Sequence, residues 1–134
     1  MYKIIDFNDF DKIEMRVGTI IAVSLNKRAR KPAYKVTIDL GELGIKTSSA
    51  QITNYSIDFL IGKQVICVCN FESMRIGDVK SEVRILGADT NDGCILLTSI
   101  SKVENGSKIY WFNFWKDLEY QFEMICSLVL WKIF

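Results

Sequence analysis

The stretch that decides the fold is YKVTIDLGELGIKTSSAQI, residues 34–52. In residues 34–40, large apolar side chains alternate strictly with polar ones, which is the period of a β-strand with one buried face. A glycine-bounded turn follows at 41–44. The remaining residues, 45–52, predict a second strand. This part of the chain is therefore expected to contribute two neighbouring strands to a β-structure.

The second strand, 45–52, is unusually polar, because five of its eight side chains are polar and a lysine stands near its start. Lys46, Ser48, Ser49 and Gln51 offer an ammonium group, hydroxyls and an amide, which suit phosphates, sugars and bases. The alternative is a partly buried strand whose hydroxyls bond to the neighbouring backbone. The strand alone leaves both interpretations open.

The rest of the chain predicts further short elements. The additional predicted strands are residues 15–23, 64–69, 81–86 and 94–98. Short helices are predicted at 6–13, with Asp6 as its cap, and at 53–60, stopped by Gly62. Gly18 within a strand suggests a bulge or a sharp bend, and the residues 91–93 predict a hairpin turn.

The order of these elements is three strands, a short helix and then more strands. Since no long helix intervenes, a doubly wound parallel sheet is not expected. The pattern predicts an all-β fold, a five-stranded Greek-key barrel of the oligonucleotide/oligosaccharide-binding type. Short helices flank the barrel, and one of them lies between its third and fourth strands.

Composition limits the range of functions. The chain has 134 residues, a formal net charge of +1 and no histidine. One domain is expected at this length. A net charge this small does not indicate a nucleic-acid partner. Any basic binding surface is therefore expected to be confined to a part of the molecule. Without histidine, and with no phosphate loop, nucleophile elbow or metalloprotease motif, no enzymatic activity, cofactor or metal is expected.

The four cysteines lack the spacing of a zinc site and are expected to be free thiols in a reducing compartment. Residues 1–6 lack the long apolar core of a signal peptide. A cytoplasmic location is therefore expected.

A cationic loop joins the first two predicted strands. It carries four positive charges within five residues, Lys27, Arg28, Arg30 and Lys31. In barrels of this kind, the connection flanks the binding face, where cations replace the counterions of a phosphate backbone. A solvated surface turn is the alternative, and the sequence does not decide between them.

A second connection, residues 70–82, mixes an amide, an aromatic ring and two cations. Asn70, Arg75 and Lys80 are the polar candidates, and Phe71 is either a core residue or a platform on which a base stacks.

Composition changes at about Tyr110. Residues 110–134 hold nine of the sixteen aromatic residues, and apolar side chains recur there at helical spacing from Trp111 to Val129. Within residues 110–134 the longest uncharged run, 124–131, is too short to span a bilayer. We therefore divide the chain into a barrel domain, 1–109, and a C-terminal extension of uncertain role, 110–134. The extension is expected to be at least partly helical and to cover apolar surface on the barrel or on a second subunit.

Six sequence blocks occur in a fixed order. They are DKIEMRVGTI at 11–20, KPAYKVTIDLG at 31–41, GIKTSSAQIT at 44–53, LIGKQV at 60–65, NF at 70–71 and SEV at 81–83. Together they resemble the tRNA-binding domain family and, within it, the stand-alone CsaA-like proteins. The resemblance covers about residues 6–109.

The resemblance implies the barrel described above, working as a homodimer. Relatives attached to methionyl- and phenylalanyl-tRNA synthetases help to hold tRNA by its shape. CsaA-like members are also described as chaperones that bind unfolded or export-bound polypeptides. The family's binding roles would fall on Lys46, Ser48, Ser49, Gln51, Asn70, Arg75 and Ser81.

Two departures from the family pattern matter. Relatives often have two prolines and an arginine after Asn-Phe, where this chain has Glu72, Ser73 and Met74, with Arg75 one place further along. The acid at Glu72 would repel phosphate locally. The other departure is the aromatic extension, because CsaA-like chains end near Ile109.

The leading hypothesis is a tRNA-binding protein without catalysis, in which Lys46, Arg75, Lys80 and the loop cations contact phosphates. The alternative is a homodimeric chaperone for polypeptides, and an aminoacyl-tRNA synthetase is a further possible partner.

Overall fold

The computed structural model describes residues 2–111 and Cys126. Cys126 is half-buried and helical. Apart from Trp111, which is exposed, the predicted apolar stripe of the C-terminal extension lies outside the described residues, and the division of the chain at residue 109 stays a prediction.

The described chain is mostly strand. The strands are β1 (Met15–Leu25), β2 (Tyr34–Asp39), β3 (Ile45–Ala50), β4 (Gln64–Val68), β5 (Met74–Ile76), β6 (Val79–Ser81), β7 (Arg84–Ile85), β8 (Gly87–Thr90) and β9 (Gly93–Leu96). The helices are α1 (Phe7–Asp11) and α2 (Ile57–Leu60), and a single 3-10 turn spans Gly41–Leu43. Asp6 caps α1 as predicted, and its backbone N–H donates to the Asp9 carboxylate at 3.3 Å. None of the described helices has the length and apolarity needed to cross a membrane.

Five strands form one antiparallel sheet in the order β3-β2-β1-β4-β7. The sheet curls until β3 meets the chain around β6. There, the Glu82 N–H donates to the Thr47 carbonyl oxygen at 2.8 Å, and the Thr47 hydroxyl donates to the Lys80 carbonyl oxygen at 2.6 Å. The result is a nearly closed five-stranded barrel, which confirms the predicted fold.

The barrel interior is filled by the alternating residues of β2 and their neighbours. Tyr34, Val36, Ile38 and Leu40 are all buried, as the alternation predicts. Leu60 of α2 is fully buried against the same core, so the short helix covers one end of the barrel.

The bulge in β1 does not lie at Gly18. The register with β2 shifts between Ile20 and Ala22, so Ile21 is the inserted residue. Gly18 instead allows close packing, because a Cβ there would lie 2.5 Å from Ile38 Cγ2 and 2.7 Å from Leu40 Cδ2. The bulge predicted at Gly18 therefore lies three residues further along the strand, at Ile21.

The later strands also differ from the prediction. The expected strand at 81–86 is divided into β6, which forms a hairpin with β5, and β7, which joins the barrel beside β4. At the end of β6 the contact with β3 is made by a side chain: the buried Ser81 hydroxyl accepts the Ser49 N–H at 3.2 Å. The expected strand at 94–98 is β9, which pairs with β8 outside the five-stranded sheet across the predicted turn.

Candidate nucleic-acid interface

Three segments that are distant in sequence meet at one end of β3 and form a cleft of about 420 Å³. They are the β1–β2 loop, the end of β3 with the residue that follows it, and the β5–β6 hairpin. We call this the cationic cleft, and its charged and polar lining residues are Arg28, Arg30, Lys31, Ser49, Gln51 and Arg75. The structure thus brings together six of the residues that the sequence nominated from separate segments.

Asn26 fastens these three segments to one another. It is 6% exposed, and its side-chain Nδ2 donates to Ser49 Oγ at 3.0 Å and to the Ile76 carbonyl oxygen at 2.7 Å. Its Oδ1 atom is buried and has no hydrogen-bond partner among the described residues. No sequence pattern distinguishes Asn26, since its position beside the charged loop resembles that of any turn residue.

Gly77, at the tip of the β5–β6 hairpin, permits the loop and the hairpin to touch. Its φ is +59°, and a Cβ there would lie 2.8 Å from the backbone nitrogen of Ala29. Any side chain at this position would therefore separate the two walls of the cleft or strain the turn.

The cleft carries four cations against one neighbouring carboxylate. Arg28 Nε lies 3.4 Å from Asp78 Oδ2, in an exposed pair that is worth little in water. Of the four cleft cations, Arg28 is the one with a carboxylate partner in the described part of the chain. A local positive field therefore exists on a protein whose formal net charge is only +1.

Two further cations lie next to the cleft without lining it. Lys80 is exposed and stands directly opposite Arg75 in the β5–β6 hairpin. Lys27 is an exposed residue of the β1–β2 loop.

Ser48 and Ser81 are buried, and their hydroxyl oxygens lie 3.4 Å apart. This contact joins β3 to β6 where the barrel closes. Their burial favours a structural role, and a direct contact with a ligand stays a prediction.

Asn70 is exposed, but both ends of its side chain are engaged. Its Oδ1 accepts the Glu14 N–H at 2.9 Å, and its Nδ2 donates to the Lys12 carbonyl oxygen at 2.7 Å. The residue therefore fixes the segment between α1 and β1. The following residue, Phe71, is exposed and so does not belong to the core.

Lys46 lies near the start of β3, away from the cationic cleft. It lines a separate cavity of about 240 Å³ with Leu40, Leu43, Cys69, Glu82 and Val83. Burial raises the pKa of the Cys69 thiol, and nearby Glu14 adds to the effect. Lys46 and the cleft residues thus occupy different parts of the surface.

The described cysteines are free thiols, as expected. Burial raises the pKa of Cys67 to about 12, so its thiol is protonated at neutral pH. Within residues 2–111 and Cys126, no group of cysteine and carboxylate side chains is arranged to hold a metal ion.

Comparison with known proteins identifies the family of this chain. The profile of the family described as "Putative tRNA binding domain" matches residues 15–108, most of the chain. The chain belongs to this tRNA-binding domain family. The match includes all of the cationic cleft.

Solved structures share the fold. The CsaA chaperone protein from Picrophilus torridus is 52% identical, with a TM-score of 0.77, over 80% of this chain and 100% of the other. Chaperone CsaA from Bacillus anthracis is 39% identical, with a TM-score of 0.75, over 81% of this chain and 100% of the other.

Among curated proteins, the methionine–tRNA ligase of Methanococcus vannielii is 35% identical over 109 residues. These residues are 81% of this chain but only 16% of the ligase. The chain therefore spans about a sixth of the length of the curated relatives that it matches.

Proposed function

We propose that this protein is a non-catalytic tRNA-binding domain that holds tRNA through phosphate contacts in the cationic cleft. The observation that supports the proposal is the meeting of Arg28, Arg30, Lys31 and Arg75 beside the hydroxyl and amide groups of β3.

The cleft is suited to a phosphate backbone. Arginine and lysine side chains gain most from phosphate when they are accessible and not already neutralised. Arg30, Lys31 and Arg75 are exposed and have no ion pair with a described carboxylate. They can therefore release counterions from RNA without first losing an internal partner.

The polar residues of β3 complete the contact. Gln51 is exposed at the edge of the cleft and can donate to or accept from a ribose or a base. Ser49 is already held by Asn26, so its main role is to position the loop. Contacts with phosphate and ribose position an RNA and carry little sequence information, which suits recognition by shape.

The remaining nominated residues receive different roles. Lys27 and Lys80 extend the positive surface beside the cleft. Ser48, Ser81 and Asn70 support the barrel and its N-terminal segment. Lys46 forms a second, separate point of contact if the RNA extends along β3.

Charge reversal tests the proposal. The double variant Arg30→Glu/Lys31→Glu is expected to weaken tRNA binding at least about tenfold, because each reversal replaces attraction by repulsion. The matched control is Lys102→Glu/Lys108→Glu, which makes the same change in net charge. Lys108 forms an isolated backbone β-bridge with Arg16, near the start of β1. The cleft loop follows the opposite end of that strand. Equal losses in the two variants would reject the cleft as the binding surface.

A polypeptide-binding chaperone is the second candidate, and one observation favours it. The N-terminal segment exposes apolar side chains, because α1 has no buried residue and Ile4, Ile5 and Ile13 are exposed. Such a surface suits a second copy in a homodimer or an apolar polypeptide. Apolar binding would persist in salt that dissociates the tRNA complex. The candidate predicts that the protein suppresses aggregation of a denatured client at high salt, and no suppression would reject it.

A further inference from the structure

Two aromatic rings and a lysine form an ordered group on the α2 side of the barrel. The rings of Tyr55 and Phe59 are parallel within 6°, with centroids 5.6 Å apart. Lys63 Nζ lies 4.6 Å from the centroid of the Phe59 ring. Phe59 is 53% exposed. We call Tyr55, Phe59 and Lys63 the ring platform.

The platform is held in place before any ligand binds. The Tyr55 hydroxyl accepts the Leu96 N–H at 3.2 Å, and the Tyr55 carbonyl oxygen accepts the Tyr34 hydroxyl at 2.8 Å. The Phe59 N–H donates to Ser56 Oγ at 3.3 Å, which fixes the first turn of α2. A ring that is already ordered loses little entropy when it stacks on a partner.

The platform lies near the cationic cleft. Gln51 lines the cleft and Tyr55 follows it by four residues, so the two Cα atoms are at most about 14 Å apart. Tyr34 also links the two sites, because it pairs with Ala50 of β3 and bonds to Tyr55. A short length of RNA can therefore reach from one site to the other.

We propose that the ring platform stacks an unpaired base of an RNA whose phosphates occupy the cationic cleft. An aromatic face beside a cation suits a base followed by a phosphate, which is how single strands are bound without sequence preference. In this arrangement Phe59 supplies the stacking surface, and Lys63 moves from its ring to the adjacent phosphate. The inference rests on the proposed function, since it requires RNA in the cleft.

The chemistry of the group selects RNA over an apolar protein partner. The Lys63 ammonium group lies over the ring of Phe59, and the cationic cleft lies nearby. A polyanion that carries flat rings, such as RNA, is therefore complementary to this part of the surface. A purely apolar partner would leave Lys63 desolvated and unpaired.

The test uses a single-stranded oligoribonucleotide that carries the fluorescent adenine analogue 2-aminopurine, whose emission falls on stacking. Wild-type protein is expected to bind it with quenching. Phe59→Leu keeps apolar bulk but removes the ring, and it is expected to weaken binding about 5-fold to 100-fold and abolish quenching. Phe59→Tyr is expected to restore both. Tyr110→Leu is the matched control, because Tyr110 is 67% exposed and lies outside the platform; it is expected to bind like wild type.

A fully paired RNA of equal charge separates stacking from damage to the cleft. Phe59→Leu is expected to bind this duplex with unchanged affinity. If Phe59→Leu loses the same affinity for the duplex and for the single strand, or loses affinity for neither, the stacking inference is overturned. It is also overturned if wild-type protein binds the single strand without quenching the analogue. If wild-type protein binds tRNA, and Phe59→Leu binds and quenches the single strand as wild type does, only this inference fails. If wild-type protein binds no tRNA, the proposed function fails.

Discussion

The side chain of Asn26 donates to the carbonyl oxygen of Ile76 at 2.7 Å, across fifty residues of sequence. This bond joins the β1–β2 loop to the β5–β6 hairpin, and a second bond from the same Nδ2 reaches Ser49 Oγ. The positions of the cleft cations therefore depend on one buried amide that carries no charge.

Asn26→Ala is expected to lower the free energy of unfolding by about 1–3 kcal/mol, because it leaves the half-buried Ile76 carbonyl group without its donor. It is also expected to weaken tRNA binding, since the loop loses its attachment to the hairpin. Urea denaturation and a binding isotherm measure the two effects. Asn54→Ala removes one exposed bond to the Cys94 carbonyl oxygen and serves as the control. Equal stability of the two variants would contradict the role assigned to Asn26.

Gly77→Ala is expected to destabilise the protein and to weaken tRNA binding. The residue has a positive φ, and the added Cβ would meet the backbone of Arg28 and Ala29 at 2.8 Å. Gly62→Ala is the matched control, because Gly62 has a φ of +88° and no atom within 4 Å of the added Cβ. That variant experiences only the backbone strain, about 1–2 kcal/mol. Chemical denaturation and tRNA affinity are compared, and unchanged affinity in Gly77→Ala would contradict the contact between loop and hairpin.

Ser48→Ala and Ser81→Ala are each expected to destabilise the protein by about 1 kcal/mol, because each removes one member of a buried hydroxyl pair. The double variant is expected to cost less than the sum, which a double-mutant cycle in urea measures. Affinity of the folded fraction for tRNA is expected to stay unchanged. A large loss of affinity without a loss of stability would instead make these hydroxyls direct ligands of RNA.

Cys67 predicts a pH dependence of stability on the alkaline side. Burial raises the pKa of its thiol from 9.0 to about 12, so the folded protein keeps a proton that the unfolded chain releases. The stabilisation is complete below about pH 9 and is lost as the pH rises toward 12, because the unfolded state binds fewer protons in that interval. The free energy of unfolding is therefore expected to fall more steeply for wild type than for Cys67→Ala. Parallel slopes between pH 9 and 11 would contradict the buried, protonated thiol.

Much of the barrel could be predicted from local pattern. The alternation of Tyr34, Val36, Ile38 and Leu40 identified the buried face of β2, because a half-buried strand imposes a period of two on its side chains. The short β5, β6 and β7 could not be separated in this way, since strands of two or three residues are too short to show a period of two in their side chains.

The sequence predicted most of the charged side chains of the candidate site. It did not predict the contacts that hold the three segments of the cleft together. Five of the residues nominated from their type lie together in the cleft: Arg28, Arg30, Lys31, Gln51 and Arg75. The roles of Asn26 and Gly77 could not be predicted from the sequence, because they arise from contacts between segments that are distant along the chain. Ser48 and Ser81 were nominated as binding residues but are buried. Their burial could not be predicted, because it depends on how the barrel closes and not on the polar residue type.

The most direct test of the central claim is the salt dependence of tRNA binding by the wild-type protein and by Arg30→Glu/Lys31→Glu. If four cations neutralise about four phosphates, the logarithm of affinity should fall with the logarithm of salt concentration at a slope of about −3 to −4. The variant should show a markedly shallower slope. A slope near zero for wild type, or the same slope for both proteins, would contradict binding of tRNA through the cationic cleft.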